Sequence, residues 1–361
     1  MQISPFQPHK LLFHRDRVEA MLAGQSVYPI SVEIDLSNVC NHNCPFCSFG
    51  TKESQGYRYQ NWVMFPYPRI LHLLDELKMV GVESITFTGG GEPLMHKAAL
   101  QVFRHATHLG FQWGLVTNGY LLTGDVVDVI AQGATFVRVS LDAGSNETHR
   151  LTHGTSRDQY DEIVGNIANL RFEASELGRD LTIGASFCVM DSNLKEIYKA
   201  AKDVKGAGAN YLEVRPTFPT EWRGDGWGLA LTDVDGAKTE TDHARLHLDS
   251  GDFKVIGMTE RFDNAMVETP TKNYSQCRVG PLTTVIGADG RLWHCCVQRG
   301  QPFFELGSVS TRPFKDVWDE IQANRDSSKI DVTKCPRCRY DGYNELIEKA
   351  FISDRMHRDF V

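Results

Sequence analysis

The sequence has no apolar run that approaches the roughly 20 residues needed to cross a bilayer. Its first residues, MQISPFQPHKLLFHRDRVEA, lack the basic-then-apolar order of a signal peptide. There is no basic excess either, because the formal net charge is −8 and the charges are dispersed. Internal repeats and low-complexity tracts are also missing. These absences predict a cytoplasmic protein with neither nucleic acid nor membrane as a partner.

Cysteine, by contrast, is plentiful. Nine cysteines, an odd number in a chain without an export signal, indicate reduced thiols that serve as metal ligands or reactive groups rather than disulfides. The length of 361 residues, 41% of them hydrophobic, allows one large α/β barrel with an appendage, or two to three domains.

Strand-like and helix-like patterns alternate through the first part of the chain. Short runs rich in β-branched and aromatic residues end in turn signals, and helical patterns follow them. The six runs are Ser31–Leu36, Ser84–Thr88, Gln112–Thr117, Phe136–Asp142, Leu181–Met190 and Tyr211–Pro216. Strand-then-helix units predict an α/β fold, a partial (β/α)6 TIM-like barrel with its chemistry at the carboxyl ends of the strands.

The alternation stops after Pro216, where Gly, Asp and Thr become frequent. We therefore predict four segments: an N-terminal extension over 1–30, the barrel over 31–216, an irregular connection over 217–252, and a small cysteine-rich α+β domain over 253–361.

Three cysteines follow the first predicted strand in the stretch DLSNVCNHNCPFCSFG. The spacing Cys40-x3-Cys44-x2-Cys47 lets one loop direct three thiolates at a metal centre, whereas closed structural sites use four protein ligands. An iron left without a protein ligand can bind a substrate. The alternative is a zinc site completed by His42 or a remote residue.

A glycine-rich edge, TFTGGGEPLMH, ends the second predicted strand. Gly89 to Gly91 remove every Cβ from this edge, so a ligand could lie against the backbone, and Glu92 offers a carboxylate suited to an ammonium group. The alternative is a glycine turn in which Glu92 caps the next helix.

The cysteine loop and the GGGEP edge together resemble the radical S-adenosylmethionine (SAM) superfamily, over about half of the chain. The resemblance implies that Cys40, Cys44 and Cys47 hold a four-iron four-sulfur cluster whose open iron is chelated by SAM. One electron from the cluster then splits SAM into methionine and a 5′-deoxyadenosyl radical. It also implies a set of cofactor contacts, with Phe46 near the adenine and the methionine amino group held by Gly90, Gly91 and Glu92.

Polar residues at other strand ends are further candidates for SAM contacts. Asn118 follows the third strand, and Ser140 and Asp142 end the fourth. Members of the superfamily similarly use polar residues at these strand ends. Asn118 and Asp142 could instead satisfy loop backbone groups, as Asn and Asp commonly do after strands.

A second cysteine group lies near the end of the chain. The turn GADG joins two strand-like runs and brings Cys277 near Cys295 and Cys296, and Cys335-x2-Cys338 adds a compact pair. This pattern resembles the twitch domain, a shortened form of the SPASM auxiliary-cluster domain, and implies one auxiliary four-iron four-sulfur cluster on Cys277, Cys295, Cys335 and Cys338. A zinc ribbon is the alternative, and the spacing does not choose between Cys295 and Cys296.

Two cysteines remain. Cys188 lies in the fifth strand, where a free thiol most often packs as a small hydrophobe. Cys296 adjoins a cluster ligand at a position expected to face the barrel mouth, so its thiol could donate a hydrogen atom to a substrate radical. Packing beside the cluster is the alternative.

The sequence thus predicts a radical SAM oxidoreductase that abstracts hydrogen from a C–H bond and oxidises a small polar substrate, such as a sugar or aminocyclitol, by two electrons. An epimerase that uses Cys296, a two-cluster electron-transfer protein and a zinc-stabilised binding protein are the alternatives. Only some thirty residues precede the first strand, too few for a separate leader-peptide-binding domain, which favours a small molecule over a peptide. A reductase such as flavodoxin or ferredoxin is the expected electron donor.

Overall fold

The computed structural model describes residues 7–47, 49, 62–217, 231–257, 262, 271–296, 299–324, 330–335 and 338–352. Its strands form one ten-stranded sheet. In chain order they are β1 Ser31–Asp35, β2 Ser84–Thr88, β3 Gln112–Thr117, β4 Phe136–Ser140, β5 Thr182–Val189, β6 Tyr211–Pro216, β7 Lys254–Gly257, β8 Thr283–Ile286, β9 Arg291–Trp293 and β10 Glu305–Ser308.

Helices connect these strands. The α-helices of the described residues are α1 Arg15–Leu22, α2 Tyr67–Met79, α3 Ala99–His108, α4 Asp125–Gly133, α5 Asn146–His153, α6 Tyr160–Glu176, α7 Ile197–Gly206, α8 Val234–Leu248, α9 Phe314–Asn324 and α10 Asp341–Ile347. Short 3-10 turns lie between them, including Pro93–Met95 directly after the glycine-rich edge.

The sheet order is β10-β9-β8-β1-β2-β3-β4-β5-β6-β7. Strands β1 to β7 are parallel to their neighbours, and β8 is parallel to β1, whereas β9 and β10 pair antiparallel. The cysteine-bearing C-terminal region therefore extends the barrel sheet through β8. This arrangement brings the second cysteine group beside the strand that leads into the first.

Side chains alternate between two faces of the sheet, as strand geometry requires. The face that meets the helices is apolar: Val32 and Ile34 of β1 and Val137 and Val139 of β4 lie in the main hydrophobic core. The opposite face, which we call the inner face, carries the intervening residues. It is described below because it positions the site.

Two parts of the fold differ from the sequence prediction. Residues 234–248 of the predicted irregular connection form α8, and β7 adds a seventh parallel strand beside β6. Residues 218–230 of that connection lie outside the described residues. Helix α8 buries Ala237, Thr241, Ala244 and Leu248, so its buried stripe holds small and polar residues that give only a weak apolar period.

Candidate active site

The loop with Cys40, Cys44 and Cys47 follows β1 and is fixed by the ends of two neighbouring strands. The backbone N–H of Glu92 donates to Val39 O (2.9 Å), and the Asn118 amide donates to Asn41 Oδ1 (2.7 Å). A Cβ on Gly91 would lie 2.2 Å from Val39 O, so glycine is needed there for close approach of this loop. All three cysteines are partly exposed.

Helix α5 supports the same loop from below. The N–H of Asn43 donates to His153 O (2.9 Å), and Gly154, at φ +59°, ends the helix. A Cβ on Gly154 would lie 2.2 Å from Asn43 O. Glycine at both positions therefore permits the close backbone contacts that support the cysteine loop.

Three buried histidines pack beneath the loop. His42, His149 and His153 each bring one ring nitrogen to within 4.8 Å of the others. The rings of His149 and His153 stack, with centroids 4.1 Å apart and planes 9° apart, so their in-plane lone pairs run parallel and do not converge on one ion. Burial lowers the pKa of His149 to about 4, so this imidazole stays neutral. His42 is also turned towards Gln159 (2.8 Å), an observation that favours support of the loop over the predicted zinc alternative.

Glu92 is buried, and its carboxylate accepts three hydrogen bonds. Oε1 accepts from Leu94 N (3.1 Å) and from Thr117 Oγ1 (2.8 Å), and Oε2 accepts from Asn118 N (2.8 Å). The capping role considered from the sequence is thus present. A carboxylate has about four acceptor positions, so one remains for a ligand. Burial raises the pKa of Glu92 to about 7, against the opposing effect of these bonds, so a nearby cation would favour the ionised form.

The other predicted cofactor residues lie at the same edge of the sheet. The Asn118 side-chain amide donates to Asn41, and its Oδ1 accepts from Tyr120 N (3.1 Å). These bonds give Asn118 the loop-supporting role that was the alternative from the sequence. Asp142 has φ +48°, and its Oδ1 accepts from Cys188 N (2.6 Å), so it ties β4 to β5. Ser140 precedes it on the inner face, and the ring of Phe46 meets His153 edge-on at 6.2 Å.

The second cysteine group also converges. Burial raises the pKa of Cys338, and the neighbouring thiols of Cys295 and Cys277 raise it further. Burial and then Cys277 raise the pKa of Cys335 in the same way. The N–H of Tyr340 donates to Cys338 Sγ (3.3 Å), and Asn344 of α10 accepts from Val279 N (3.1 Å) near Cys277. Thiols held close enough to oppose one another's ionisation form a donor set that a cationic iron centre would stabilise.

Cys296 faces the inner side of the sheet. It packs against Val285 and Trp293. Burial and then the charge of Cys338 raise its pKa, while Arg299 and Arg138 lower it. Burial raises its pKa to about 11, so the thiol keeps its proton at neutral pH. The role of Cys296 as a hydrogen donor at the barrel mouth stays a prediction.

The inner face is polar, a feature that the sequence prediction missed. Glu33 and Asp35 of β1, Arg138 of β4, Ser186 of β5 and Glu213 of β6 alternate with the core residues of the same strands. Strands of sheets that are covered on both faces usually have continuous apolar sequences. The charged residues at alternate positions in SVEIDL, FVRVSL and YLEVRP could therefore have indicated a polar inner face.

Asp35 connects this face to both predicted centres. The backbone N–H of Gly90 lies beside its carboxylate, and Arg299 Nη1 donates to Oδ2 (2.5 Å). Arg299 Nη2 also lies 3.7 Å from Glu33 Oε2, and Glu33 pairs with Arg339 next to Cys338. Burial raises the pKa of Asp35 to about 6 despite the arginine.

A parallel α/β sheet with a three-thiol loop after its first strand and a second cysteine group beside it is the arrangement expected of an iron–sulfur protein. Two family models match the chain. Residues 34–184 match the Radical SAM superfamily model, and residues 277–339 match the SPASM iron-sulfur cluster-binding domain. The chain therefore contains a radical SAM domain and a SPASM-type iron–sulfur cluster-binding domain.

Curated relatives have diverse activities. The AdoMet-dependent heme synthase of Methanosarcina barkeri is 23% identical over 333 residues, which cover 86% of this chain and 89% of the relative. An uncharacterized protein of Archaeoglobus fulgidus is 29% identical and covers 91% of this chain and 77% of that protein. A probable GTP 3′,8-cyclase of Saccharolobus islandicus is 26% identical over 52% of this chain, which spans 57% of the cyclase.

Solved structures share the fold. SuiB of Streptococcus suis bound to S-adenosylmethionine has a TM-score of 0.63 at 16% identity and covers 88% of this chain and 72% of SuiB. The structure of anSMEcpe with bound AdoMet has a TM-score of 0.61 at 15% identity and covers 88% of this chain and 89% of anSMEcpe. Both proteins have also been solved with peptides.

The family domains imply SAM, a four-iron four-sulfur cluster and an auxiliary iron–sulfur cluster as cofactors. The residues present fit these groups, since three partly exposed thiols share one braced loop and four more converge at the sheet extension. No helix among the described residues is long and apolar enough to cross a membrane.

Proposed function

We propose that the protein oxidises a small polar substrate, such as a sugar or aminocyclitol, by two electrons. The observation that supports this reaction is the polar inner face, which runs from the Gly90 edge to Cys296 and the auxiliary thiols. A substrate on this face would lie between the SAM site and an electron acceptor. When bound, SAM and the first cluster supply a 5′-deoxyadenosyl radical that abstracts a hydrogen atom.

The residues of this chain have distinct roles in the proposal. Cys40, Cys44 and Cys47 would hold the first cluster, and Cys277, Cys295, Cys335 and Cys338 the auxiliary one. Glu92 would bind the methionine ammonium with its remaining acceptor position. Phe46, Gly90, Gly91, Ser140 and Asp142 would line the cofactor, and Asn118 would hold the loop in place through Asn41.

Anaerobic reconstitution tests the class of activity. Iron and sulfide of about eight each per chain are expected, and SAM should alter the electron paramagnetic resonance of only one reduced cluster. We expect the electron donor of the clusters to be a reductase such as flavodoxin or ferredoxin. Two clusters that both ignore SAM would indicate electron transfer instead, and zinc alone would indicate a binding protein.

Epimerisation is a second candidate because Cys296 is partly buried, packs against Val285 and Trp293, and keeps its proton at neutral pH. Its thiol could then donate a hydrogen atom to the substrate radical. Once a substrate is known, the reaction in deuterated water separates the two outcomes. An oxidised product from both wild type and Cys296→Ala supports dehydrogenation, whereas deuterium at an inverted carbon, lost in the variant, establishes epimerisation.

A further inference from the structure

Arg299 lies between β9 and β10, in the SPASM-type domain, and its side chain is 2% exposed. Its charged partners nevertheless lie on β1, the first strand of the barrel. Nη1 donates to Asp35 Oδ2 (2.5 Å), and Nη2 lies 3.7 Å from Glu33 Oε2. Burying a guanidinium is costly unless carboxylates compensate for the lost hydration, so these two contacts fix the position of Arg299.

The contacts of Arg299 flank the cysteine loop on both sides. Asp35 ends β1, five residues before Cys40, and Phe49 follows Cys47 by two residues. The guanidinium carbon of Arg299 lies 4.9 Å from the centroid of the Phe49 ring, within the range of a cation–π contact. One side chain therefore joins the residues before and after the loop that carries the three thiols.

The Asp35 carboxylate also contacts the glycine-rich edge. The N–H of Gly90 lies beside it and favours its ionised form. The next two N–H groups of this edge donate to Ser37 O (3.0 Å) and to Val39 O (2.9 Å), in the segment that follows Asp35. The edge proposed to hold the methionine amino group is therefore bonded to a segment that begins at the partner of Arg299.

We propose that Arg299 is a positioning residue of the SAM site: through Asp35 and Phe49 it holds the cysteine loop and the Gly90 edge in the arrangement that binds the cofactor. This inference rests on the proposed function, in which that loop and that edge bind the first cluster and SAM. It adds that a side chain of the SPASM-type domain completes the radical SAM site. The alternative is an ion pair that only stabilises the contact between the two domains.

Two variants separate positioning from stability. Arg299→Met removes the charge but keeps a long side chain, and it leaves Asp35 buried without its cation, which by itself destabilises a protein. Arg299→Met combined with Asp35→Asn removes both charges, so this double variant leaves no ionised group of the pair unpaired. Glu33 keeps Arg339 as a partner in both variants. If Arg299 serves stability alone, the double variant should bind SAM as wild type does.

Arg69→Met is the matched control. Arg69 is also a largely buried arginine, with its side chain 15% exposed, and it also connects the barrel to the C-terminal region. It pairs with Glu76 of its own helix α2 (3.0 Å) and donates to Val309 O (2.7 Å) and to Arg312 O (2.8 Å). None of these three partners belongs to the cysteine loop or to the glycine-rich edge. The control therefore loses an equivalent connection away from the proposed SAM site.

The test is calorimetric titration of the anaerobically reconstituted proteins with SAM, together with electron paramagnetic resonance of their reduced clusters. We expect Arg299→Met and the double variant each to weaken SAM affinity roughly tenfold or more, and Arg69→Met to stay within about twofold of wild type. The signal of the auxiliary cluster should remain in all variants. At a SAM concentration just sufficient to saturate wild type, the change that SAM causes in the other signal should be incomplete in both Arg299 variants.

Three results would overturn the proposal: wild-type affinity in the double variant, loss of the auxiliary-cluster signal in both Arg299 variants, or an equal loss of affinity in Arg69→Met. If Arg299→Met does not fold, the double variant decides alone. Failure of the proposed function gives a different pattern, because wild type itself would then neither bind SAM nor form 5′-deoxyadenosine from SAM and dithionite. That pattern would reject the role of Arg299 as well.

Discussion

At the scale of single residues, Glu92 combines a structural role with a predicted cofactor role. Replacement by Gln keeps an acceptor for Leu94 N but removes the negative charge that an ammonium needs. We expect Glu92→Gln to weaken SAM binding roughly ten- to hundredfold, because a charged hydrogen bond in a buried site is lost. Iron content should stay unchanged. Unaltered affinity in calorimetric titration would leave Glu92 only its capping role.

The same residue makes stability depend on pH in the cofactor-free protein. Its pKa rises from 4.5 to about 7 on folding, so the folded state favours the protonated acid. The stabilisation of the folded state by protonated Glu92 is fully present below pH 4.5 and is lost as the pH rises through 7. Urea unfolding should therefore show that wild type loses on the order of 2–3 kcal/mol relative to Glu92→Gln over this range. A difference in the free energy of unfolding between the two proteins that does not change with pH would contradict a raised pKa for Glu92.

At the scale of elements, the contact between α5 and the cysteine loop controls the first cluster. Gly154→Ala would place a Cβ 2.2 Å from Asn43 O, whereas Gly178, at φ +61°, has nothing within 4 Å. Both substitutions strain a left-handed residue by about 1 kcal/mol. Only Gly154→Ala should also lower the iron and sulfide retained by the loop. Equal iron content in Gly154→Ala and Gly178→Ala would show that this contact does not position the cysteines.

The elements also show where sequence patterns succeed. Strands β2, β3 and β6 have the predicted bounds, because β-branched and aromatic residues bounded by turn signals identify buried strands. Helix α5 escaped notice because its buried residues are Thr148, His149, Thr152 and His153, which produce no apolar period. The stripe of small residues on α8 has the same effect.

At the scale of the whole molecule, sequence motifs predicted the two cysteine groups, whereas the residues that lie between them were identified only from the fold. The cysteine spacings and the GGGEP edge predicted the family domains, because those motifs are local in sequence. The pairing of β8 with β1 and the ion pair between Asp35 and Arg299 join residues far apart in the chain. No local pattern reports such contacts, so the inner face emerged only from the structure.

The central claim is that the loop after β1 supports reductive cleavage of SAM, independently of the auxiliary thiols. Its most direct test is the measurement of 5′-deoxyadenosine formed by reconstituted wild type and by the variant in which Cys40, Cys44 and Cys47 are all replaced by Ala. We predict that the variant keeps the auxiliary cluster on Cys277, Cys295, Cys335 and Cys338 but forms no 5′-deoxyadenosine. Continued SAM cleavage by the variant would contradict the account.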